Sequence, residues 1–169
     1  LRILQDRAAS LGVALLFQTE VADERDLPRL GVAEADLVVA ADGVNSLVRQ
    51  TYEASFRPTI QWGACRFAWL GTNLPLRAFT FVFRENEHGL FAVHAYPFEP
   101  SLSTWIVECR EETWRRAGLD RATEGETTAY VERLFGDHLQ GHRILTNKSI
   151  WRSFPTVSCA SWRHENVVL

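Results

Sequence analysis

The first fifty residues carry the hydrophobic pattern of an α/β layer. Apolar residues at helical spacing predict a helix that ends at Gly12, where a left-handed backbone conformation fits. These apolar residues are Leu1, Leu4, Ala8 and Leu11. A strand is predicted over residues 13–17, followed by a polar connection with Pro28 and Gly31. The continuous apolar run over residues 36–40 is typical of a strand buried on both faces, which indicates a parallel element.

From residue 60 onward the pattern changes to longer strands rich in aromatic and β-branched residues. Four strands are predicted, over residues 60–70, 79–84, 90–96 and 103–109. Turn residues separate several of these strands, a spacing typical of an antiparallel sheet.

One helix and two shorter strands are predicted beyond this sheet. Thr123 and Glu126 form a capping box at the start of the helix, and Gly136 is expected to end it. Strands are predicted over residues 151–159 and 167–169. The predicted fold class is therefore mixed α/β, with a first segment over residues 1–55, a sheet segment over 56–160 and a returning strand over 161–169.

Composition and charge narrow the possible partners. The 169 residues carry 18 Lys+Arg and 21 Asp+Glu, a net charge of −3 that argues against a broad nucleic-acid surface. No apolar run approaches the roughly 18 residues of a membrane span. Three scattered cysteines favour a reducing compartment, so we expect a cytoplasmic protein. The chain lacks Met and opens inside a helical pattern, so we expect a piece of a longer protein.

The segment from Ala40 to Arg49 is the most specific candidate for a binding site. The predicted strand ends at Asp42 and Gly43, and a polar turn with Ser46 leads into a helix. Ligands of open α/β sheets bind at the carboxyl ends of strands, where a carboxylate can accept hydrogen bonds from ribose or ribityl hydroxyls. The alternative is an ordinary Asp-Gly turn followed by a helix-capping serine.

This segment resembles the Asp-Gly motif of the FAD-dependent aromatic hydroxylases, the group A flavoprotein monooxygenases related to p-hydroxybenzoate hydroxylase. The matching residues are Asp42, Gly43, Ser46, Val48 and Arg49, and Ala40 replaces a usual glycine. Residues 67–71, 103–107 and 162–169 also resemble segments of that family. The overall likeness is strongest to salicylyl-CoA 5-hydroxylases and 2-aminobenzoyl-CoA monooxygenases.

The resemblance implies part of a Rossmann-like FAD-binding domain and an antiparallel-sheet substrate domain. It implies FAD as cofactor, NADH or NADPH as reductant, and hydroxylation of a small aromatic substrate, with a CoA thioester implied by the narrower likeness. The cofactor contacts that it implies are Asp42, Gly43, Ser46 and Arg49. The chain contains no GxGxxG, so we expect it to lack major determinants of tight FAD binding and to be inactive alone.

Substrate contacts are predicted on the strand over residues 90–96. Strand alternation places His94 and Tyr96 on one face, where hydroxylases of free hydroxybenzoate carry a Ser and an Arg that hold the carboxylate. Cys65 corresponds to a substrate-side tyrosine of those enzymes, and we expect it on the same face as His94 and Tyr96 and near them. The missing arginine fits a thioester whose carboxylate charge is masked. The alternative is that His94 and Tyr96 are ordinary half-buried sheet residues.

No side chain of the chain is predicted to be a catalytic nucleophile or a metal ligand. His138 and His142 lie four residues apart, but Gly141 interrupts them and no third ligand is evident. Two other functions remain open. One is a related flavoprotein with epoxidase, halogenase or reductase chemistry, and the other is a non-catalytic small-molecule binding domain.

Overall fold

The computed structural model describes residues 1–21, 24–32 and 35–169. Ala22, Asp23, Ala33 and Glu34, which belong to the predicted polar connection, lie outside the described residues. The chain divides into two compact units, one formed by residues 1–59 and 157–169 and the other by residues 60–156. Helices and sheets occur in both, so the fold is mixed α/β.

The first unit contains short helices and a small sheet. Its helices are α1 (Arg2–Ser10), α2 (Leu47–Thr51) and α3 (Glu53–Phe56), with 3-10 turns at Glu24–Asp26 and Pro28–Leu30. The sheet strands are β1 (Val38–Val39), β9 (Arg163–His164) and β10 (Val167–Val168). β1 pairs with β10 in parallel, and β10 pairs with β9 in antiparallel orientation. The predicted parallel element is therefore present.

Two strand predictions in this unit are wrong. Residues 13–17 form no strand, because no described segment supplies the backbone hydrogen bonds that a strand needs. The predicted strand over 36–40 shrinks to β1, where Val38 is half-buried and Val39 is exposed rather than buried on both faces. Among the described residues β1 has one neighbouring strand, β10, so it lies at the edge of its sheet and not at the centre.

The second unit is built on a five-stranded antiparallel sheet of order β4-β5-β6-β3-β7. Its strands are β3 (Cys65–Thr72), β4 (Thr80–Asn86), β5 (Gly89–Glu99), β6 (Leu102–Arg110) and β7 (Ile144–Leu145). Two further strands, β2 (Pro58–Trp62) and β8 (Pro155–Cys159), pair with each other. The predicted antiparallel sheet is confirmed.

One face of this sheet forms the core. Alternate residues of β5, such as Phe91, Val93 and Ala95, are fully buried there, together with Trp105 of β6. The helices α4 (Glu111–Arg116), α5 (Glu124–Leu134) and α6 (Gly136–Leu139) lie between β6 and β7 in sequence. The buried cluster includes Val131, Phe135 and Leu139 from the α5–α6 segment. The helices therefore cover this face, and α5 begins with the predicted capping box of Thr123 and Glu126.

Three element boundaries differ from the predictions. The strand over 60–70 is interrupted at Gly63 and Ala64, whose backbone groups bond to Phe154 and Glu111 instead of a neighbouring strand. Gly136 does not end the helical segment, because it begins α6. The strand over 151–159 is reduced to β8, with one isolated bridge between Arg152 and Phe67 before it.

Candidate functional site

The loop after β1 places Asp42 at the start of α2. The Asp42 Oδ2 atom accepts a hydrogen bond from the Leu47 backbone N–H at 2.8 Å and a longer one from the Val48 N–H at 3.4 Å. Partial burial raises the pKa of Asp42, but the Ser46 side chain and these backbone N–H groups outweigh it, so the pKa lies below its ordinary value. Because both backbone bonds use one oxygen, the ionised carboxylate keeps capacity to accept a ligand hydroxyl.

Gly43 gives the same loop its shape and its free space. Its φ of 81° lies in the left-handed region that favours glycine. A Cβ added there would meet no atom within 4 Å, so the space beside the Gly43 backbone is open. Asp42 and Gly43 are both exposed, and together they form an accessible acceptor beside an accessible backbone.

Ser46 and Arg49 are buried and bonded within this loop. The Ser46 Oγ caps α2 by accepting the Arg49 backbone N–H at 2.9 Å. The Arg49 guanidinium donates to the Val44 carbonyl and is 6% exposed. The structure therefore gives both side chains internal partners, and their direct contact with a cofactor stays a prediction.

The second candidate site lies on the sheet face opposite the core. Cross-strand partners share a face, and the register aligns Phe81, His94, Ile106 and Trp69 in one row across β4, β5, β6 and β3. The described helix residues of the buried cluster lie on the other face of the sheet. On this face Phe81 and Trp69 are 64% and 52% exposed. We call this surface the open face.

Four aromatic rings gather on the open face at β4 and β5. Phe79 stacks with His94 at a centroid distance of 6.2 Å and with Tyr96 at 5.3 Å, and Phe81 lies 5.1 Å from Phe79. We call these four residues the aromatic cluster. Among the described residues, the His94 imidazole and the Tyr96 hydroxyl have no hydrogen-bond partner in the protein, so both can meet a ligand.

Cys65 shares the open face with His94 and Tyr96, as predicted, but it does not adjoin them. It lies four residues from Trp69 along β3, and β6 separates β3 from β5. Standard strand spacings put Cys65 roughly 16 Å from His94. Partial burial and the neighbouring Glu108 carboxylate raise the pKa of the Cys65 thiol, which favours its protonated form. The predicted proximity of Cys65 to the other two residues is therefore wrong.

Phe79 and Phe81 are not among the predicted site residues. Their signal is the alternation of Phe79, Phe81 and Phe83. Three aromatic residues two apart share one face of a strand, and all three are exposed. This pattern predicts an aromatic surface that a ligand or another part of the protein covers.

The comparisons with known proteins identify the family. A family model described as FAD binding domain matches residues 1–169. The chain belongs to this FAD-binding family.

Two curated relatives give the family context. The chain is 40% identical over 177 residues to salicyloyl-CoA 5-hydroxylase of a Streptomyces species, covering 100% of the chain and 33% of that protein. It is 33% identical over 169 residues to 3-hydroxy-4-methyl-anthranilyl-[aryl-carrier protein] 5-monooxygenase of Streptosporangium sibiricum, covering 100% of the chain and 42% of that protein. The chain thus spans between a third and a half of the length of these relatives.

A solved structure supports the fold. The chain aligns with the tetrameric form of 2-methyl-3-hydroxypyridine-5-carboxylic acid oxygenase at a TM-score of 0.66 and 18% identity, covering 99% of the chain and 47% of that structure. The described residues contain no group of three metal-ligating side chains and no helix long and apolar enough to cross a membrane.

Proposed function

We propose that this chain is the central part of an FAD-dependent monooxygenase that hydroxylates an aromatic acyl thioester with NADH or NADPH and O2. The observation that carries this proposal is the aromatic cluster on the open face. It offers ring surfaces for stacking and two uncommitted polar groups, the His94 imidazole and the Tyr96 hydroxyl, on one side of the sheet.

The first unit would hold part of the flavin. Asp42 would accept a hydrogen bond from a ribose or ribityl hydroxyl, and the open space at Gly43 would let the backbone approach the cofactor. Ser46 and Arg49, which are bonded within the loop, would keep Asp42 in position. When bound, the flavin supplies the activation of oxygen and the electron transfer from NAD(P)H.

The second unit would position the aromatic ring of the substrate. Phe79 would stack with the ring, while His94 and Tyr96 would orient its hydroxyl or the thioester oxygen. His94 and Tyr96 stand where hydroxylases of a free hydroxybenzoate carry the Ser and Arg that hold its carboxylate. This supports a substrate whose carboxylate is masked as a thioester, the kind of substrate named for both curated relatives.

The wider setting is part of the same proposal. The substrate is a small aromatic molecule, which fits breakdown of aromatic compounds as the process. Cys65, Cys109 and Cys159 are all free thiols, which supports a cytoplasmic location.

The test uses the full-length protein that carries this chain. We expect a yellow flavoprotein that consumes NADH or NADPH in the presence of salicyloyl-CoA and adds one oxygen atom to the ring, detected by mass spectrometry. His94→Ala should lower turnover by roughly a hundred-fold with unchanged flavin content, because a hydrogen bond at the reacting group is lost.

His138→Ala is the matched control, since His138 is an exposed histidine of α6. It should leave turnover unchanged. A His94→Ala protein with normal turnover and only a lower melting temperature would assign His94 a structural role. A full-length protein without flavin would contradict the proposed function itself.

A further inference from the structure

A second recess on the open face lies beside the aromatic cluster. It is a groove of about 610 Å³ between β3 and residues 147–154, within the second unit. Its walls are the aromatic side chains Phe67, Trp69, Phe98 and Phe154. Phe67 and Phe154 stack at a centroid distance of 3.9 Å, so this wall is well packed. We call this recess the side groove. Its volume lies within the range of ligand pockets, roughly 300–1,000 Å³.

The charged residues that line the side groove are both cationic. Lys148 and Arg152 are exposed, and within the described part of the chain neither forms an ion pair. The nearby Glu124 carboxylate accepts the Ser149 backbone N–H at 2.8 Å. The open-face carboxylate Glu108 is the cross-strand partner of Phe67, and Phe67 in turn pairs with Arg152. Glu108 is therefore two strand spacings, or about 10 Å, from Arg152. The rim of the groove is therefore suited to an anion.

The side groove adjoins the aromatic cluster through shared strands. Thr104, which lines the groove, exchanges hydrogen bonds with the Tyr96 backbone through its Oγ1, at 3.3 Å each. Trp69 lies in the same row as His94, two strands away. Arg152 pairs with Phe67 one strand further, so about three strand spacings, or roughly 15 Å, separate β5 from the backbone of Arg152.

We propose that the side groove binds the phosphopantetheine arm of the thioester substrate, with Lys148 and Arg152 holding its phosphate. This inference rests on the proposed function, in which the acyl ring lies at the aromatic cluster. The arm has two amides and a dimethyl-substituted carbon between the sulfur and the phosphate. Extended like a peptide, it spans roughly 15 Å, which matches the distance across the strands.

The chemistry of the groove fits each part of this arm. The aromatic walls would contact its methylene and methyl groups, while the Asn147 side-chain amide would bond to its amides. The two cations meet the phosphate. CoA and an acyl-carrier protein present the same arm, so the groove would accept either source of substrate.

The experiment compares three salicyloyl thioesters in the full-length holoenzyme: the CoA thioester, the phosphopantetheine thioester and the N-acetylcysteamine thioester, which lacks the phosphate. For Lys148→Ala and for Arg152→Ala we expect KM to rise about ten-fold with the first two substrates, because each variant loses a charge-assisted contact to phosphate. The KM for the N-acetylcysteamine thioester and the kcat for all three should stay unchanged.

Arg133→Ala is the matched control, because Arg133 is an exposed cation of α5 that does not line the side groove. It should leave every KM unchanged. A salicyloyl-carrier protein, assayed in parallel, identifies the source of the arm: a lower KM for it than for the CoA thioester assigns the carrier protein, and the reverse assigns CoA. Either result supports the proposal if Lys148→Ala and Arg152→Ala raise the KM for the preferred substrate.

Two results would overturn the inference. One is an unchanged KM for the phosphate-bearing thioesters in both variants, and the other is a rise in the KM for NADH or NADPH instead. Failure of the proposed function looks different, because the wild-type enzyme would then hydroxylate none of the thioesters.

Discussion

The Phe79 ring stacks on the Tyr96 ring with their centroids 5.3 Å apart and their planes 12° apart. The same Phe79 ring is nearly parallel to the His94 imidazole, at an interplanar angle of 4°. Phe79 therefore lies against both polar side chains that we assign to the substrate. It is nevertheless 56% exposed, which leaves ring surface for a ligand.

Phe79→Ala should weaken binding of the aromatic substrate in the full-length enzyme. A stacked aromatic pair contributes about 0.5–1.5 kcal/mol beyond burial, so we expect KM to rise by roughly three- to ten-fold. The melting temperature should change little, because the side chain is largely exposed. Steady-state kinetics and a thermal melt measure the two effects.

Leu90→Ala provides the control for this substitution. Leu90 is an exposed apolar residue of β5 on the same face, four residues from His94. Its KM should match that of the wild type. An equal increase in KM for the two variants would contradict a specific contact between Phe79 and the substrate, because loss of any apolar side chain from the open face would then have the same effect.

The alternation of buried and accessible residues explains why the sheet could be predicted. In β5 the core residues Phe91, Val93 and Ala95 alternate with Ala92 and His94, and such a period of two identifies a strand. The turns that separate the strands carry their own signals. The strands predicted over residues 79–84, 90–96 and 103–109 therefore appear close to their predicted positions, as β4, β5 and β6.

The first unit was less predictable, because its strands depend on partners rather than on local pattern. Residues 13–17 are as apolar as a strand, yet no described segment pairs with them. β1 pairs with β10 through two residues, Val38 and Val39. The pairing of Val38 with Val167 joins residues far apart in the chain, and no short-range pattern contains that information.

The candidate site was predictable in part. Strand alternation identified the shared face of His94 and Tyr96, and the family resemblance placed Cys65 near them. Neither signal shows that β6 lies between β3 and β5, so Cys65 was predicted too close to His94 and Tyr96. The side groove depends on residues 147–154 crossing the edge of the sheet near β3, which is a tertiary contact without a sequence signal.

Asp42→Asn should lower the flavin affinity of the full-length protein by about ten-fold or more, because hydrogen bonds to a charged group contribute about 1.5–3 kcal/mol. Titration of the apoprotein with FAD, followed by fluorescence, measures the change. Asp6→Asn is the control: Asp6 is an exposed carboxylate of α1, outside the loop that holds Asp42, and this change should leave flavin affinity at the wild-type value.

Asp42 also predicts a pH dependence of stability. Its pKa is lowered in the folded chain, so its stabilising effect is present above the unfolded-state pKa of about 3.9 and is lost as the pH falls through the lower folded-state pKa. As the pH falls below about 4, the free energy of unfolding should therefore decrease more for the wild type than for Asp42→Asn, as measured by urea denaturation. Parallel profiles for the two proteins would contradict a role for the ionised carboxylate in this loop.

Cys109 is a buried thiol of β6 on the core face. Burial, together with Cys65 and Glu108, raises the pKa of Cys109 to about 12. Since the thiolate is the reactive form, Cys109 should resist iodoacetamide at pH 8 in the native protein and react only after unfolding in urea. Peptide mapping by mass spectrometry locates the label, and the half-buried Cys159 serves as the internal comparison.

The same raised pKa has a consequence for stability in alkali. A protonated thiol favours the folded state, so its contribution is present below the unfolded-state pKa of about 8.5 and is lost as the pH rises toward 12. Cys109→Ala should therefore lose less stability than the wild type between about pH 9 and pH 11 in urea denaturation. Labelling of native Cys109 at the rate of Cys159, or equal alkaline losses in the two proteins, would show that the thiol reaches solvent and that this face of the sheet is not a closed core.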